Sequence, residues 1–537
     1  MGIPSYFSYV VKNHPEIIKK YTNNDVKMNN LYLDCNSVVY DVYSRMDVKK
    51  LTEEISISII KQVCLKIESY IQLIAPDKKV IIAFDGVAPV AKLEQQRSRR
   101  YKSLYQNEIS KEIYNKTTPD PWNTVAITPG THFMKELNEY VVKFFSDSKK
   151  YNLDQLIVST SEQCGEGEHK IFNYIRKNAN MHKEESTVIY GLDADLIMLS
   201  INHLPICPQI YLFRETPHFI QSIDKSLEPN ANYLLDIPLL SQTTTFYMNN
   251  DKTMDIDQQN NRIYDYIFLS FFLGNDFLPH FPALNIRTGG MDKMLNAYRG
   301  SLGKTNDALA NGKKINWNNL RKLVQVLVLQ EEEFIKKEHN DRNKKENFNY
   351  PTDTAENVFK KFEAKPTYER EVEKYINPFK EGWENRYYRS LFHIHSDSTG
   401  SQRKEICINY LEGLEWTFKY YSQDCPNWRW SYKYNYPPLL SDLIKYIPVF
   451  DTTFIIANLK PVSSLVQLCY VLPKASLSLL PKKLYSKLLE DHPEWYNSNC
   501  EFSWAFCRYF WESHVLMEDI DIDELEKYIY THKNLLV

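Results

Sequence analysis

Short apolar runs bounded by charged or turn residues recur through the first half of the chain, and each predicts a strand. Asn30-Leu31-Tyr32-Leu33, Val80-Ile81-Ile82-Ala83-Phe84, Leu156-Ile157-Val158 and Thr187-Val188-Ile189-Tyr190 are continuous rather than alternating, the pattern of strands buried on both faces. Between the first two, Ile55, Ile59, Val63, Ile67 and Ile71 repeat at helical spacing within residues 52 to 75, and Pro76 closes that helix. Strand, helix and strand in that order make a β-α-β unit, the mark of a parallel sheet. Ile3, Phe7 and the Val10/Val11 pair set a helix within Met1 to Lys20, with a boundary soon after Pro15. A late apolar helix runs from Tyr264 to Leu273. The expected fold class is α/β, a central mostly parallel sheet flanked by helices over residues 1–300, with a mainly helical remainder.

After residue 300 the pattern changes. A charged helix around Glu331 to His339 leads into the polar tract RNKKENFNYPTDTAEN, and 301–385 reads as a helical connection, flexible near 340–357. Residues 386–537 form an aromatic-rich second region. Most of the aromatics in YLEGLEWTFKYYSQDCPNWRWSYKYNY at 410–436 are expected in the core. Trp428 and Trp430, flanked by Arg429 and Lys433, are better candidates for a base-stacking wall. The last hundred residues, with Trp495, Trp504 and Trp511, read as a helical packing shell without functional signal.

The chemistry sits where the strands end. Asp34 and Asp85 follow the first two, the loop CGEGEHK after the third carries Glu166 and Glu168, and GLDADLIMLS after the fourth carries Asp193 and Asp195. GNDFLPH, at the end of the late helix, adds Asp276. In an open α/β sheet, ligands bind in the crevice beyond the carboxyl ends of the strands. Seven carboxylates crowded there repel one another by several kcal/mol unless cations neutralise them, so divalent metal is expected. Two ions ~3.5–4 Å apart form the clamp used for phosphodiester hydrolysis. Just past Asp85, Gly86 and Pro89 supply a turn, and Lys92, Gln96, Arg99 and Arg100 then fall on one helix face. That face would grip a phosphate beside the metal. Taken alone, the segment fits equally well a structural aspartate followed by a solvated basic helix.

Composition narrows the classes. A formal net charge of -3 argues against a protein that coats nucleic acid non-specifically, so any polyanion site is a local groove. The nine cysteines form no CxxC pair or Cys/His cluster of zinc spacing, which fits reduced thiols in a reducing compartment. No signal-peptide h-region opens the chain, and Asn275, Asp276 and His280 interrupt the apolar stretch from Tyr266 to Phe281, so no membrane span is expected. Gly2 invites myristoylation, but Tyr6 stands where Ser or Thr is needed. GEGEHK begins like a dinucleotide-binding loop, yet Lys170 holds the third glycine position and two glutamates would repel a pyrophosphate. A glycosidase needs only two carboxylates and no phosphate grip. His169 and His280 read as structural histidines.

The motifs MGIP, LYLDCN, AFDGVAPVAKLEQQRSRR, ITPGTHFM, GEGEHKI, GLDADLIML, LFRE, GNDFLPH, YLEGLEW and NWRWSYKYNYPP together resemble the Xrn family of 5′→3′ exoribonucleases over nearly the whole chain. The resemblance implies a nuclease core of the PIN/FEN-like kind, with Asp34, Asp85, Glu166, Glu168, Asp193, Asp195 and Asp276 matching the family's metal-site acids. It implies that Lys92, Gln96, Arg99 and Arg100 match the pocket for a 5′-monophosphate, and that Trp430, with Trp428 as fallback, matches the stacking tryptophan. Tyr40 stands where the family usually has His, and Ser37 where it usually has Gly. The chain also ends where the family's conserved core ends, so what the C-terminal domains of the large cytoplasmic members contribute is expected to be absent or supplied by a partner. The zinc-knuckle cysteines of some nuclear members are missing, which leans toward the cytoplasmic branch.

The implied function is processive, Mg²⁺- or Mn²⁺-dependent 5′→3′ degradation of single-stranded RNA bearing a 5′-monophosphate, in RNA turnover beside decapping factors. A flap endonuclease of the same superfamily and an inactive RNA-binding scaffold are the alternatives.

Overall fold

The computed structural model describes residues 2–22, 27–51, 53–117, 120–216, 220–397 and 399–536. Its centre is a seven-stranded sheet: β1 (Ile18–Lys20), β2 (Asn30–Asp34), β3 (Lys79–Ala83), β4 (Gln155–Ser159), β5 (Thr187–Tyr190), β6 (Ile210–Glu215) and β7 (Asn232–Asp236). The strands lie in the order β1-β7-β6-β5-β2-β3-β4. β2 pairs in parallel with β3 on one side and β5 on the other, and β3–β4 and β5–β6 are parallel too. β7 and β1 close one edge in antiparallel register. The chain runs outward from β2 through β3 to β4, then returns to β5 on the opposite side of β2. That reversal makes a topological switch point at β2/β5, where an open sheet leaves a crevice beyond its strand ends.

Apolar runs become central strands because both sheet faces are covered. Leu31, Leu33, Val80, Ile82, Val188 and Tyr190 face one core, which also holds Ile59, Val63, Ile67 and Ile71 of the helix Ile55–Ile74. Tyr32, Ile81, Ala83 and Ile189 face the other. Neighbours in a strand thus serve opposite layers, as the two-residue period requires. The second core runs without a break into helices of the aromatic region and takes in Trp416, Tyr420, Tyr421 and Trp430. A helix of that region, Ser401–Ser422, is therefore packed onto the sheet assembly.

Several expectations need correction. The opening segment forms a helix only over Tyr6–Asn13, and Ile18–Lys20 then pairs with β7 as an edge strand that its three residues do not announce. The tract read as flexible from 340 continues instead as helix to the end of Trp317–Glu346, and another helix begins at Ala355. Buried ionic partners hold that end: Arg342 donates to both oxygens of Glu373, at 2.8 and 2.6 Å. The closing shell includes a strand pair, β8 (Glu501–Ser503) with β9 (His514–Leu516). It also braces the basic helix Val90–Ile113, since Arg97 donates to the carbonyls of Glu518 and Trp495 and Lys102 to those of Trp511 and Ser513. No helix of the described residues is long and apolar enough to cross a membrane.

Candidate active site

Asp34 is the last residue of β2, and Asp85 stands just beyond β3. Asn36 fixes Asp85 twice, donating from Nδ2 to Oδ2 at 2.7 Å while its own Oδ1 accepts the Asp85 N–H at 3.0 Å. The other oxygen of Asp85 accepts the Gly167 N–H at 2.7 Å. Gly167 opens the helix Gly167–Lys177, whose first N–H groups have no partner within the helix, so a carboxylate is favoured there. Glu166 precedes this helix and Glu168 lies in its first turn, both buried. Gly167 has to be glycine: a Cβ there would stand 2.5 Å from Asp34 Oδ1. Beyond β5, Asp193 lies on the exposed side of the turn and Asp195 starts the helix Asp195–His203, buried. Arg214 of β6 supports that turn, donating to the Leu192 carbonyl at 3.0 Å with its guanidinium 3.8 Å from the centre of the Phe7 ring.

Burial and mutual repulsion act together on these acids. Desolvation, then Asp85 and the neighbouring acids, holds Asp34 well above the usual carboxylate range, and desolvation with Asp195 and Glu166 does the same to Glu168. Asp85 is raised by burial and Glu166, and Asp195 is pushed up to about 7 by burial and Asp276. Asp193 and Asp276 go the other way, both held below the ordinary carboxylate range. Burial works to raise Asp276, but the positive charges around it, Lys92 first and Arg99 among them, together outweigh burial.

Lys92 lies inside this cluster. Its Nζ is 2.5 Å from Glu166 Oε2 and 2.7 Å from Asp276 Oδ2, with 11% of its side chain exposed. The other members of its helix face are elsewhere. Arg100 donates from Nη2 to Thr128 Oγ1 at 2.6 Å, while its Nη1 is buried without a hydrogen-bond partner among the described residues. Burial depresses Arg100 to about 10, with Tyr40 opposing the shift. Gln96 Oε1 is likewise buried and unpartnered, and Arg99 is close enough to Asp276 to lower its pKa.

The second region completes the site. Tyr420 donates its hydroxyl to Glu166 Oε1 at 2.8 Å, and Tyr421 donates to Asp195 Oδ1 at 3.0 Å. Sequence reasoning assigned both to the core, and nothing in their spacing distinguishes them from it. His169 was read as structural; it stacks on Tyr420 with ring centres 3.7 Å apart, and burial holds it well below its ordinary pKa. It also offers a ligand atom that groups with those of Glu166 and Glu168 within 4.8 Å. The loop after Ser401–Ser422 docks onto the start of the basic helix, where the Val90 and Ala91 N–H groups donate to the carbonyls of Trp428 and Trp430 at 2.9 and 3.1 Å. Two otherwise unpaired helix donors are satisfied in this way.

The residues expected to form the stacking wall are unequally accessible. Trp430 is 8% exposed, and its ring lies against Trp416 with centres 5.2 Å apart and planes 24° from parallel. Gly413 makes room for it, since a Cβ there would lie 2.9 Å from Trp430 Cη2. A ring this enclosed has little surface for a base, whereas Trp428 is partly exposed and Tyr40 is 42% exposed. Of the two tryptophans, Trp428 has the freer surface.

A family model described as XRN 5'-3' exonuclease N-terminus matches residues 1–216, and one described as Xrn1 helical domain matches 255–377 and 352–532. The chain is 28% identical to 5'-3' exoribonuclease 1 of Saccharomyces cerevisiae over 98% of its own length and 43% of that protein's. It is 26% identical to 5'-3' exoribonuclease 2 homolog of Drosophila melanogaster, over 98% of this chain and 70% of that one. A solved structure, the catalytic core of Rad2 in complex with DNA substrate, aligns at 13% identity with a TM-score of 0.30, covering 60% of this chain and 79% of that one, a likeness too loose to build on.

Proposed function

The chain belongs to the family of XRN 5'-3' exonucleases, and from that premise we propose that it is a metal-dependent, processive 5′→3′ exoribonuclease that takes single-stranded RNA with a 5′-monophosphate and releases mononucleotides. One observation carries the reading: Asp34 Oδ1 and Glu168 Oε2 are buried in the acid cluster with no hydrogen-bond donor among the described residues. Buried acceptors are normally satisfied, and hard oxygen donors without protons to receive suit Mg²⁺ or Mn²⁺. Asp34, Asp85, Glu166, Glu168, Asp193, Asp195 and Asp276 are the residues that would hold such ions, two of them in this reading. Held by these residues, divalent ions would supply the positive charge that activates a water for attack and stabilises the leaving oxygen.

The chain's own residues do the positioning. Arg100, with a buried guanidinium nitrogen unpaired, and Gln96 and Arg99 on the same helix face form the grip for the terminal phosphate. Lys92 links that grip to the acids, placing the phosphate next to the bond to be cut. Tyr40 and Trp428 or Trp430 hold the leading bases after each cleavage. A capped or triphosphorylated end is too bulky and too charged for a pocket built for one phosphate, so the substrate arises by decapping, and decapping factors are the partners this predicts. We assign residues 1–300 to the nuclease unit, 301–385 to a connection and 386–537 to the region that closes the site, and cytoplasmic RNA turnover as the setting, with the nucleus as the alternative.

The test is digestion of a linear 5′-monophosphate RNA beside a branched DNA flap, with Mg²⁺ and with EDTA. Mononucleotides from the RNA with Mg²⁺ alone are expected. Preferential cutting of the flap would favour a flap endonuclease, and inertness on both would favour a binding scaffold.

A further inference from the structure

Tyr420 and Tyr421 are consecutive residues, yet each hydroxyl reaches a different acid. Tyr420 donates to Glu166 across 254 residues of sequence, and Tyr421 to Asp195 across 226. Both rings are locked. Tyr420 is 3% exposed, stacked on His169 at 3.7 Å and tilted against Trp416 at 4.8 Å. Tyr421 is 2% exposed, with its edge against Phe271 at 5.3 Å. A carboxylate has two oxygens and turns about its terminal bond unless a donor holds one of them. With Oε1 of Glu166 held by Tyr420, Oε2 faces the interior of the cluster, where Lys92 Nζ lies 2.5 Å away.

We propose that Tyr420 and Tyr421 are positioning residues of the nuclease site, fixing by hydroxyl donation which oxygen of Glu166 and of Asp195 is presented to a divalent ion. This rests on the reading of the acid cluster as the metal site. Outer partners that orient a ligating carboxylate typically change metal affinity or activity ~10–100-fold when removed. The metal site is then not a property of the sheet alone, because the helix Ser401–Ser422 of the second region sets the orientation of two of its acids.

The experiment compares Tyr420→Phe, Tyr421→Phe and the double variant with wild type in the full chain. Phenylalanine keeps each ring and its stacking and removes only the donor. Mn²⁺ binding to the RNA-free protein, followed by the electron paramagnetic resonance of free Mn²⁺, should weaken ~10-fold in each single variant and further in the double. The Mg²⁺ concentration for half-maximal turnover should rise by the same factor, with KM for RNA unchanged at saturating Mg²⁺. Unchanged Mn²⁺ affinity and an unchanged Mg²⁺ midpoint in both single variants, with only a lowered Tm, would overturn the proposal. Glu166→Gln and Asp195→Asn are measured alongside. If these two lose Mn²⁺ binding while the tyrosine variants keep it, the site reading stands and the positioning role alone fails. If they bind Mn²⁺ like wild type, the site reading fails and the proposal falls with it. Should Tyr420→Phe not fold, Tyr421→Phe carries the test by itself.

Discussion

Lys92 reaches from the basic helix to place its Nζ 2.5 Å from Glu166 Oε2, with both side chains almost wholly buried. The ammonium also contacts Asp276, and against burial the surrounding acids, Asp276 and Glu166 foremost with Glu168 and Asp195, together keep it charged. Breaking a buried pair by removing one partner costs ~3–5 kcal/mol, because the other charge is left uncompensated. Lys92→Met should therefore melt several degrees below wild type in EDTA and regain more of that loss on adding Mg²⁺ than wild type gains. Thermal melts under both conditions check this. An equal Mg²⁺ response in the two proteins would show that the ammonium does not balance these acids.

Arg99 and Arg100 should act on the substrate's end rather than on its length. A hydrogen bond to a charged group is worth ~1.5–3 kcal/mol, so removing either arginine should lower kcat/KM on 5′-monophosphate RNA ~10–100-fold and barely affect 5′-hydroxyl RNA. Both ends of one RNA sequence should be assayed at fixed salt, since polyanion binding depends on ionic strength. Equal losses on the two substrates would return this helix to a general basic face.

The two tryptophans now make opposite predictions. Trp428→Ala should remove ~1–3 kcal/mol of stacking per base and impair long RNA more than very short oligomers, with little change in Tm. Trp430→Ala should instead lower Tm, because it empties a buried site packed against Trp416 and Gly413. A stable Trp430→Ala protein with a selective defect on long RNA would mean that Trp430 is the stacking residue after all.

The positions of the acids are legible in the sequence because they follow apolar runs at the ends of strands and of one helix, and a run buried on both faces admits few other readings. Asp34 and Asp85 need only that rule. The edge strands are not legible: Ile18–Lys20 has three residues, and Asn232–Asp236 pairs antiparallel with Ile210–Glu215, whose LFRE reads as a motif and not as a strand. Residues 340 to 346 look like loop because they are polar, and they stay helical because Arg342 finds Glu373 in the interior, a pairing no local pattern encodes. Tyr420 and Tyr421 stand in a run where aromatic packing explains most residues. Their partners lie on another part of the chain, and only the fold brings them to the acids.

Glu331 gives a pH signature away from the site. Its two oxygens accept the Leu440 and Ser441 N–H groups at 2.6 and 2.9 Å, yet burial pushes the carboxyl from 4.5 up to about 7. An acid raised on folding binds more protons folded than unfolded between those values, so its ionisation subtracts stability as pH rises from about 4.5 to about 7. Glu331→Gln cannot ionise. Relative to wild type it should gain up to about 3 kcal/mol across that window, two and a half pH units at about 1.36 kcal/mol each. Urea midpoints of both proteins at pH 5 and pH 7.5 measure the difference, and a gap that does not change with pH would mean that Glu331 ionises as freely folded as unfolded.

Direction of attack is the most direct test of the central claim. One 5′-monophosphate RNA is prepared twice, labelled at its first nucleotide or at its last, and digested with Mg²⁺ by wild type and by Asp195→Asn. The first label should appear at once as a mononucleotide and the last only when the whole chain has been consumed, while Asp195→Asn should be slower by at least ~10³-fold. Release of the last nucleotide first, a first label found in oligonucleotides, or an Asp195→Asn variant within about tenfold of wild type would contradict a 5′→3′ exoribonuclease working through these acids.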